Sequence, residues 1–594
     1  MRGLWPLCLA LAAAPLPAQV TLSGDTSRPE MSVFAPHEPV ELTFTVAGRT
    51  AATGPLTLAL EVVDVHDRAL TSAELTVPAG EGEWTGTWAA PAGALGFYRV
   101  RARLSNGVEM AALGTRPAGY LTYAVLPDPA TRPEYPAAET FYGMQGGFND
   151  RVNVVPWLGV RWMLGSYDWR RLEPDRPGQF AETHAARGGR QATNPWQVDG
   201  QPWVTYPLPT LFMAPPWALT PETAAYVTGS LTPEGETAWV EYCGVAAAAF
   251  AAERPELPQR LYQITWEPVY PWGFRGTTAE LVRVYELAYP AIHAADPAAV
   301  VLGPTGAGIS AGDVEWNARL LAAGLGAYID AFSIHPYHPL PPERNGLVEH
   351  VRALREVIRT HLGRDLDCYG TEQGWATNDD PSRELLQAQG LTRAHLIMLG
   401  EGFRANFGFY IADYPAEPGY GYFYNLNPNI PYGTDKMSPK PVAAAFAQQT
   451  MLLEGHRSAG AIEWLGDTAL GYAYERGPEV TLALWDWGDA PREVSLPVGV
   501  EQVVVHDWLG GERTVATPGG TLALTLGPEP RYVVGVAASV WGSTAVRPIE
   551  LEPSGWSGYP GASITVTGSA DTAAEGTLRV ELDPRLGPSP APVP

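Results

Sequence analysis

Two different periods of apolar residues divide this chain. Between Val20 and Asp128, apolar and polar residues alternate in short runs, Val40–Val46, Leu56–Val62, Glu83–Trp88 and Tyr98–Leu104, with Gly, Pro and Asn between them. A period of two buries one face of each run, and this spacing predicts an immunoglobulin-like β-sandwich over 20–128. Pro127–Pro136, with four prolines, then reads as a stiff linker.

Beyond it the pattern becomes strand, helix, strand, helix. Predicted strands are Thr140–Gly146, Val160–Gly165, Thr210–Pro215, Leu261–Trp266, Ala299–Gly303, Asp330–His335, Asp367–Thr371 and Phe407–Ile411. Amphipathic helices are predicted over Glu236–Glu253, Thr278–Ala295, Asp313–Leu325, Gly346–Leu362, Ser382–Gly402 and Ser438–Leu453. Eight strands alternating with helices make a (β/α)8 TIM barrel over 137–454. The pattern lacks a helix between the first two strands, and Asp175–Tyr206 is a polar insertion. After Gly455 the period of two returns, in Ala469–Tyr474, Val480–Trp485, Val494–Leu496, Gln502–Asp507, Thr521–Leu526 and Tyr532–Val536. These predict a C-terminal β-sandwich over 455–539. Residues 540–594 form a short β-rich extension, with strand-like runs around Ile549, Ile564 and Leu578 and a Pro-rich end expected to be disordered.

Composition narrows the function classes. Over 594 residues, 45% are hydrophobic and 17% charged, which suits several packed domains. The net charge of −25, with no run of Lys and Arg, disfavours a nucleic-acid partner, since phosphate binding needs basic patches. The N-terminal Arg2, the apolar run Leu4–Ala14 and Pro17-Ala18 read as a secretory signal over 1–18, and no later run is long enough to be a transmembrane segment. A secreted or periplasmic protein is expected. Cys8 falls in the signal; Cys243 and Cys368 fall on the third helix and seventh strand, too far apart around a barrel for a disulfide, and are expected as buried thiols.

Function in such a barrel sits at the C-terminal ends of the strands. There the fourth predicted strand ends in Trp266-Glu267-Pro268, and the seventh in Thr371-Glu372-Gln-Gly-Trp375. Two carboxylates facing each other across a pocket are the minimum apparatus for cutting a glycosidic bond. Each closes a buried strand beside aromatic residues, unlike an ordinary surface acid. The 20 Trp and 26 Tyr fit the same chemistry, because flat rings suit sugar faces. Trp217, Trp272, Trp375 and Tyr410 fall near strand ends, where stacking on sugar and core packing are both open to them. Asp168 and Asp413 also lie near the rim, with no role beyond hydroxyl contact. No metal or other cofactor is expected: His335 and His338 lack the further ligands of a zinc site, and Gly143-Met-Gln-Gly-Gly147 lacks the lysine of a phosphate loop.

The barrel resembles glycoside hydrolase clan A, with the β-xylosidase-like family 39 and the cellulase-like family 5 as its nearest members. The resemblance rests on Leu158-Gly-Val-Arg-Trp162 with Trp169-Arg-Arg-Leu-Glu-Pro174, Pro215-Pro-Trp-Ala-Leu219, Glu267-Pro268, Asp330-Ala-Phe-Ser-Ile-His-Pro-Tyr337 and Thr371–Trp375, in that order. It implies a retaining double displacement on a β-linked oligo- or polysaccharide, with Glu372 as nucleophile and Glu267 as acid/base. Tyr337 would hold the nucleophile region; His335 fits a structural or a substrate-contacting role.

Two positions depart from the clan's pattern. Trp266 stands where an Asn usually binds the sugar 2-hydroxyl, and Leu164 where an Arg usually lies near the nucleophile. His338, Gln145, Asn149 and Arg161 are the candidates to compensate. The departures also allow a second function class, a carbohydrate-binding or cell-surface protein on a glycosidase barrel. Carboxylates that point apart, or a Trp266 wedged between them, would favour it. A lyase or isomerase barrel would need a lysine or metal cluster that the pattern lacks.

Overall fold

The computed structural model describes residues 19–91, 93–146, 151–180, 196–225, 228–414, 416–430, 433–543, 550–553 and 566–569. The expected signal, Asn149, residues 181–195 of the polar insertion and the Pro-rich end, with Ile549, Ile564 and Leu578, lie outside these residues. The chain divides into two compact units, Met1–Gly455 with Asp507–Gly511, and His456–His506 with Glu512–Pro594.

In the first unit, the N-terminal strands form two sheets. Thr21–Thr26, Val40–Arg49 and Gly82–Ala90 pair in one; Val33–Phe34, Tyr120–Val125, Gly96–Leu104, Leu56–Val63 and Ala69–Val77 pair in the other. Their inward residues, Leu42, Phe44, Leu60, Val100 and Tyr123 among them, make one core. Strand Ala69–Val77 was not predicted, because its apolar side chains are few and mostly reach solvent, Leu70 remaining 53% exposed.

Eight parallel strands then close a barrel: Tyr142–Met144, Trp162–Ser166, Tyr206–Thr210, Arg260–Gln263, Ala299–Ala307, Ala331–His335, Cys368–Gln373 and Ala405–Gly408, numbered barrel strands 1 to 8. Strand 8 returns to strand 1 through Asn406 opposite Tyr142 and Gly408 opposite Met144. The flanking β-sheet domains and this closed barrel are the expected fold class. Strand 3 is a correction, lying over Tyr206–Thr210 instead of Thr210–Pro215. Pro207 and Pro209 argue against a central strand, yet both occupy the parity of Leu211, whose N–H faces strand 4. Strand 3 pairs with strand 4 only at Thr210 and Gln263, so the missing donors break no ladder.

Six long helices follow the strands, Pro233–Glu253, Thr278–Ala295, Ala311–Ala322, Leu347–Leu362, Glu384–Gly400 and Pro441–Leu453. Two start on capping boxes written in the sequence, Thr277 with Glu280 and Ser310 with Asp313. Where no helix was predicted, the described residues between strands 1 and 2 include one helical turn, Val155–Leu158. Cys243 and Cys368 are buried thiols, and no helix among the described residues is long and apolar enough to cross a membrane.

The second unit has a six-stranded antiparallel sheet and the two-stranded sheet Arg492–Pro497 with Thr521–Leu526. Its own core holds Leu482, Leu484, Val505, Leu524 and Val533. Glu550–Pro553 and Val566–Ser569 pair as a further hairpin.

Candidate active site

Strand 4 stops at Gln263, and Glu267 follows in the left-handed region at φ +43°. That conformation is uncommon for a side chain with a Cβ and costs on the order of 1 kcal/mol or more, so neighbours must hold it. Glu267 N donates to Thr305 O of strand 5 at 3.0 Å, and Glu267 O accepts from Tyr270 N at 3.1 Å. Glu372 lies within strand 7, and His335 ends strand 6. The ends of strands 4, 6 and 7 therefore bring their polar side chains to one point.

There the carboxylates converge. His335 Nδ1 lies 2.7 Å from Glu267 Oε1 and 3.3 Å from Glu372 Oε2, while the Tyr337 hydroxyl donates to Glu372 Oε2 at 3.0 Å. One oxygen of each Glu and one His335 nitrogen all lie within 4.8 Å of one another. Glu267, Glu372 and His335 are 7%, 3% and 0% exposed. Burial, then the charge of Glu267, pushes Glu372 well above the ordinary carboxylate range, and the Tyr337 hydroxyl pulls it back. Burial lowers His335 against the pull of Glu267, favouring a neutral imidazole, and raises Tyr337. Glu372 Oε1 and His335 Nε2 are buried without a hydrogen-bond partner among the described residues. Glu267, His335 and Glu372 are also the one group among the described residues spaced to grip a metal ion, though His335 Nδ1 already engages both carboxylates.

The remaining predicted residues separate by what they touch. Trp266 packs against the His335 ring at 5.3 Å and 84°. Trp272 and Tyr270, 54% and 45% exposed, stack at 5.6 Å on the turn leading out of Glu267. Trp217 donates to Glu173 O at 3.2 Å and meets Trp169 edge-on, Trp375 lies under the Arg383 guanidinium at 4.3 Å, and buried Tyr410 donates to Glu417 O at 3.1 Å. His338 Nδ1 donates to Pro336 O at 2.8 Å, and burial holds its pKa down to about 4.

Among the compensating candidates, Arg161 is a correction. It precedes strand 2 at the opposite end of the barrel, lying 3.5 Å from the Trp203 ring centre and donating to Val204 O and Pro133 O. Leu164 is buried in strand 2. Gln145 follows strand 1, with its Oε1 buried and unpartnered. Asp413 is held by Lys440 at 2.8 Å, and Asp168 faces Arg171 at 3.4 Å.

Two residues at the site were not predicted. Tyr420 meets Tyr337 at 6.4 Å and Phe409 at 5.2 Å, both edge-on. The charge of Glu417 is felt by Glu372, and that of Glu267 by Glu417. Both lie in a Pro- and Gly-rich stretch after strand 8 that carries no periodicity.

A closed (β/α)8 barrel with a buried carboxylate pair at the ends of strands 4 and 7 is the class of protein that these features define. Among solved structures, a family 39 glycoside hydrolase from Bacteroides cellulosilyticus WH2 superposes with TM-score 0.58 and 17% identity, over 87% of this chain and 100% of that one. At that identity the likeness is one of fold. A GH39 β-xylosidase from Caulobacter crescentus aligns at 15% identity over 68% of this chain and 97% of its own, TM-score 0.47. A GH30 endoxylanase from Clostridium papyrosolvens C71 aligns at 11% over 68% and 98%, TM-score 0.48. No family model matches the sequence, and no curated protein matches it.

Proposed function

We propose that this protein is an exported, retaining glycoside hydrolase that cleaves β-glycosidic bonds in oligo- or polysaccharides. The observation that carries the reading is the convergence of Glu267 and Glu372 within 4.8 Å at the ends of strands 4 and 7. Double displacement needs carboxyl groups about 5 to 5.5 Å apart, whereas inversion leaves room for water between groups about 6.5 to 9.5 Å apart. Export rests on the N-terminal apolar run alone.

Glu372, ionised, attacks the anomeric carbon through Oε1, the oxygen that Tyr337 leaves free. Glu267, as the acid/base, gives a proton to the glycosidic oxygen as the carbon–oxygen bond breaks. It then takes a proton from water, which opens the glycosyl ester at the same face. Before substrate binds, Glu267 Oε1 and His335 Nδ1 lie within hydrogen-bond reach of each other at 2.7 Å. One proton shared by two close carboxyls follows from their mutual repulsion. The exposed Trp272 and Tyr270 begin beside the acid/base, on the side where the leaving group departs, and offer it a ring to stack on.

The test is hydrolysis of a panel of aryl β-glycosides and β-linked polysaccharides. Glu372→Ala should lose on the order of 10^4-fold or more in kcat. Glu267→Ala should recover turnover of aryl glycosides with azide, giving a β-glycosyl azide. Wild-type rates in Glu372→Ala would sink the nucleophile assignment.

A further inference from the structure

We infer that the N-terminal β-domain belongs to the active site, with Thr115 as a positioning residue for the segment after strand 8 that sets Glu417 and Tyr420 against the carboxylate pair. The inference rests on the hydrolase reading above. It starts from the tip of the turn Leu113-Gly-Thr-Arg116, closed by Leu113 pairing with Arg116. Gly114 adopts φ +59°, and a Cβ there would lie 1.9 Å from Asn425 O, so only glycine lets this tip approach the barrel so closely.

The approach places Thr115 on two pieces of the barrel at once. Its hydroxyl donates to Asp413 Oδ2 at 2.9 Å and accepts from Asn425 N at 2.9 Å, and its own N–H donates to Asn425 O at 2.8 Å. Asp413 is 2% exposed, and its Oδ1 accepts from Lys440 Nζ at 2.8 Å and from Gly421 N at 2.9 Å. Asp413 thus ties the chain leaving strand 8 to Gly421, the residue next to Tyr420.

Between those ties lie the two groups that face the pair. Tyr420 braces Tyr337, which holds Glu372. Gly419 O accepts from Thr377 N at 3.1 Å and Gln387 Nε2 at 2.9 Å, securing the segment on its barrel side. The chain of support runs from Thr115 through Asp413 and Gly421 to Tyr420, Tyr337 and Glu372. Every link but the Tyr420–Tyr337 ring contact and the Gly421–Tyr420 peptide is a hydrogen bond. The groups that face Glu417 and Glu372 in charge are Glu267, His335, Tyr337, Tyr410 and Tyr420.

The test compares Thr115→Val, which keeps shape and removes the hydroxyl, with Thr115→Ser, which restores it. Hydrogen exchange of the peptide spanning 413–421 reads positioning without turnover. In Thr115→Val it should rise about tenfold, as loss of a hydrogen bond to a charged group allows, and return in Thr115→Ser. In the same variant kcat/KM should fall about tenfold, and its acid limb should move to higher pH, because Tyr337, no longer braced by Tyr420, loses its hold on Glu372, and that donor outweighs the repulsion from Glu417. Exchange equal to wild type in Thr115→Val overturns the inference. So does increased exchange with an unaltered kcat/KM and pH profile. If the wild type turns over no glycoside while exchange still responds, the positioning stands and the hydrolase reading falls.

Discussion

At the scale of single residues, the site is a contest over where two negative charges may sit. Glu372 is pushed up by burial and by Glu267, and Tyr337 is the donor that opposes the push. On the proposed mechanism Glu372 must be ionised to act as nucleophile, so activity should rise with pH through its titration, at a value above the ordinary carboxylate range. Tyr337→Phe removes the stabilising donor, which raises Glu372 further. Its acid limb in kcat/KM should shift upward by about one unit, since a hydrogen bond to a charged group is worth about 1.5 to 3 kcal/mol. A limb that stays in place or moves down would detach Tyr337 from the nucleophile. Trp272→Ala should lower kcat/KM for oligosaccharides about tenfold more than for aryl glycosides, as loss of one stacked ring does. Equal losses on both would place Trp272 outside the leaving-group side. Glu267 and Glu372 were legible in the sequence because each ends a recognisable buried strand. Glu417 and Tyr420 were not, because the stretch carrying them has no period and is placed by Asp413, Thr115 and Thr377. Trp217 and Trp375 stayed ambiguous for a similar reason: Trp169 and Arg383, which occupy them, become neighbours only in the fold.

At the scale of elements, the barrel was readable wherever a strand and its helix each obeyed one period, and misread where chemistry hid the period. Strand 3 shows this, its two prolines tolerated because both face the sparsely paired side. The end of helix Pro441–Leu453 shows a cost no periodicity reveals. Glu454 caps it, accepting from Phe141 N at 2.6 Å and Tyr142 N at 3.3 Å, the residues that open strand 1. Burial pushes its pKa up to about 7, against those donors and Arg161. A carboxyl whose folded value lies above its unfolded one stabilises fully at low pH and loses that contribution as pH rises through the folded value. From an ordinary value of 4.5 to about 7, the loss is on the order of 3 kcal/mol. Urea unfolding of the wild type should therefore weaken between about pH 4.5 and 7.5, and Glu454→Gln should weaken less over the same window. Parallel pH dependence in the two proteins would show that Glu454 is ionised at no cost.

At the scale of the whole molecule, the sequence separates an N-terminal β-domain from a barrel by a proline-rich linker, which suggests independent modules. Within the first unit the structure joins them through buried charge. Arg99, on strand Gly96–Leu104, donates to Glu384 Oε2 at 3.2 Å at the start of helix Glu384–Gly400, and Glu384 also accepts from the Tyr424 hydroxyl. Glu384 is 2% exposed and is raised by burial, with Lys440, Tyr424 and Arg99 drawing it down. Pairings this distant in sequence leave no local pattern, so composition and period could not announce them. Taking the partner from a buried charge is far more costly than never having made the pair. Arg99→Met should therefore destabilise the first unit by about 3 to 5 kcal/mol, although the side chain belongs to a domain with no catalytic group. Glu384→Gln on the same background should recover much of that loss, because it removes the stranded charge. Chemical denaturation of the wild type, both single variants and the double variant closes this cycle. If the domains were modules, Arg99→Met would cost less than about 0.5 kcal/mol, as an ordinary surface substitution does, and the coupling to Glu384 would vanish.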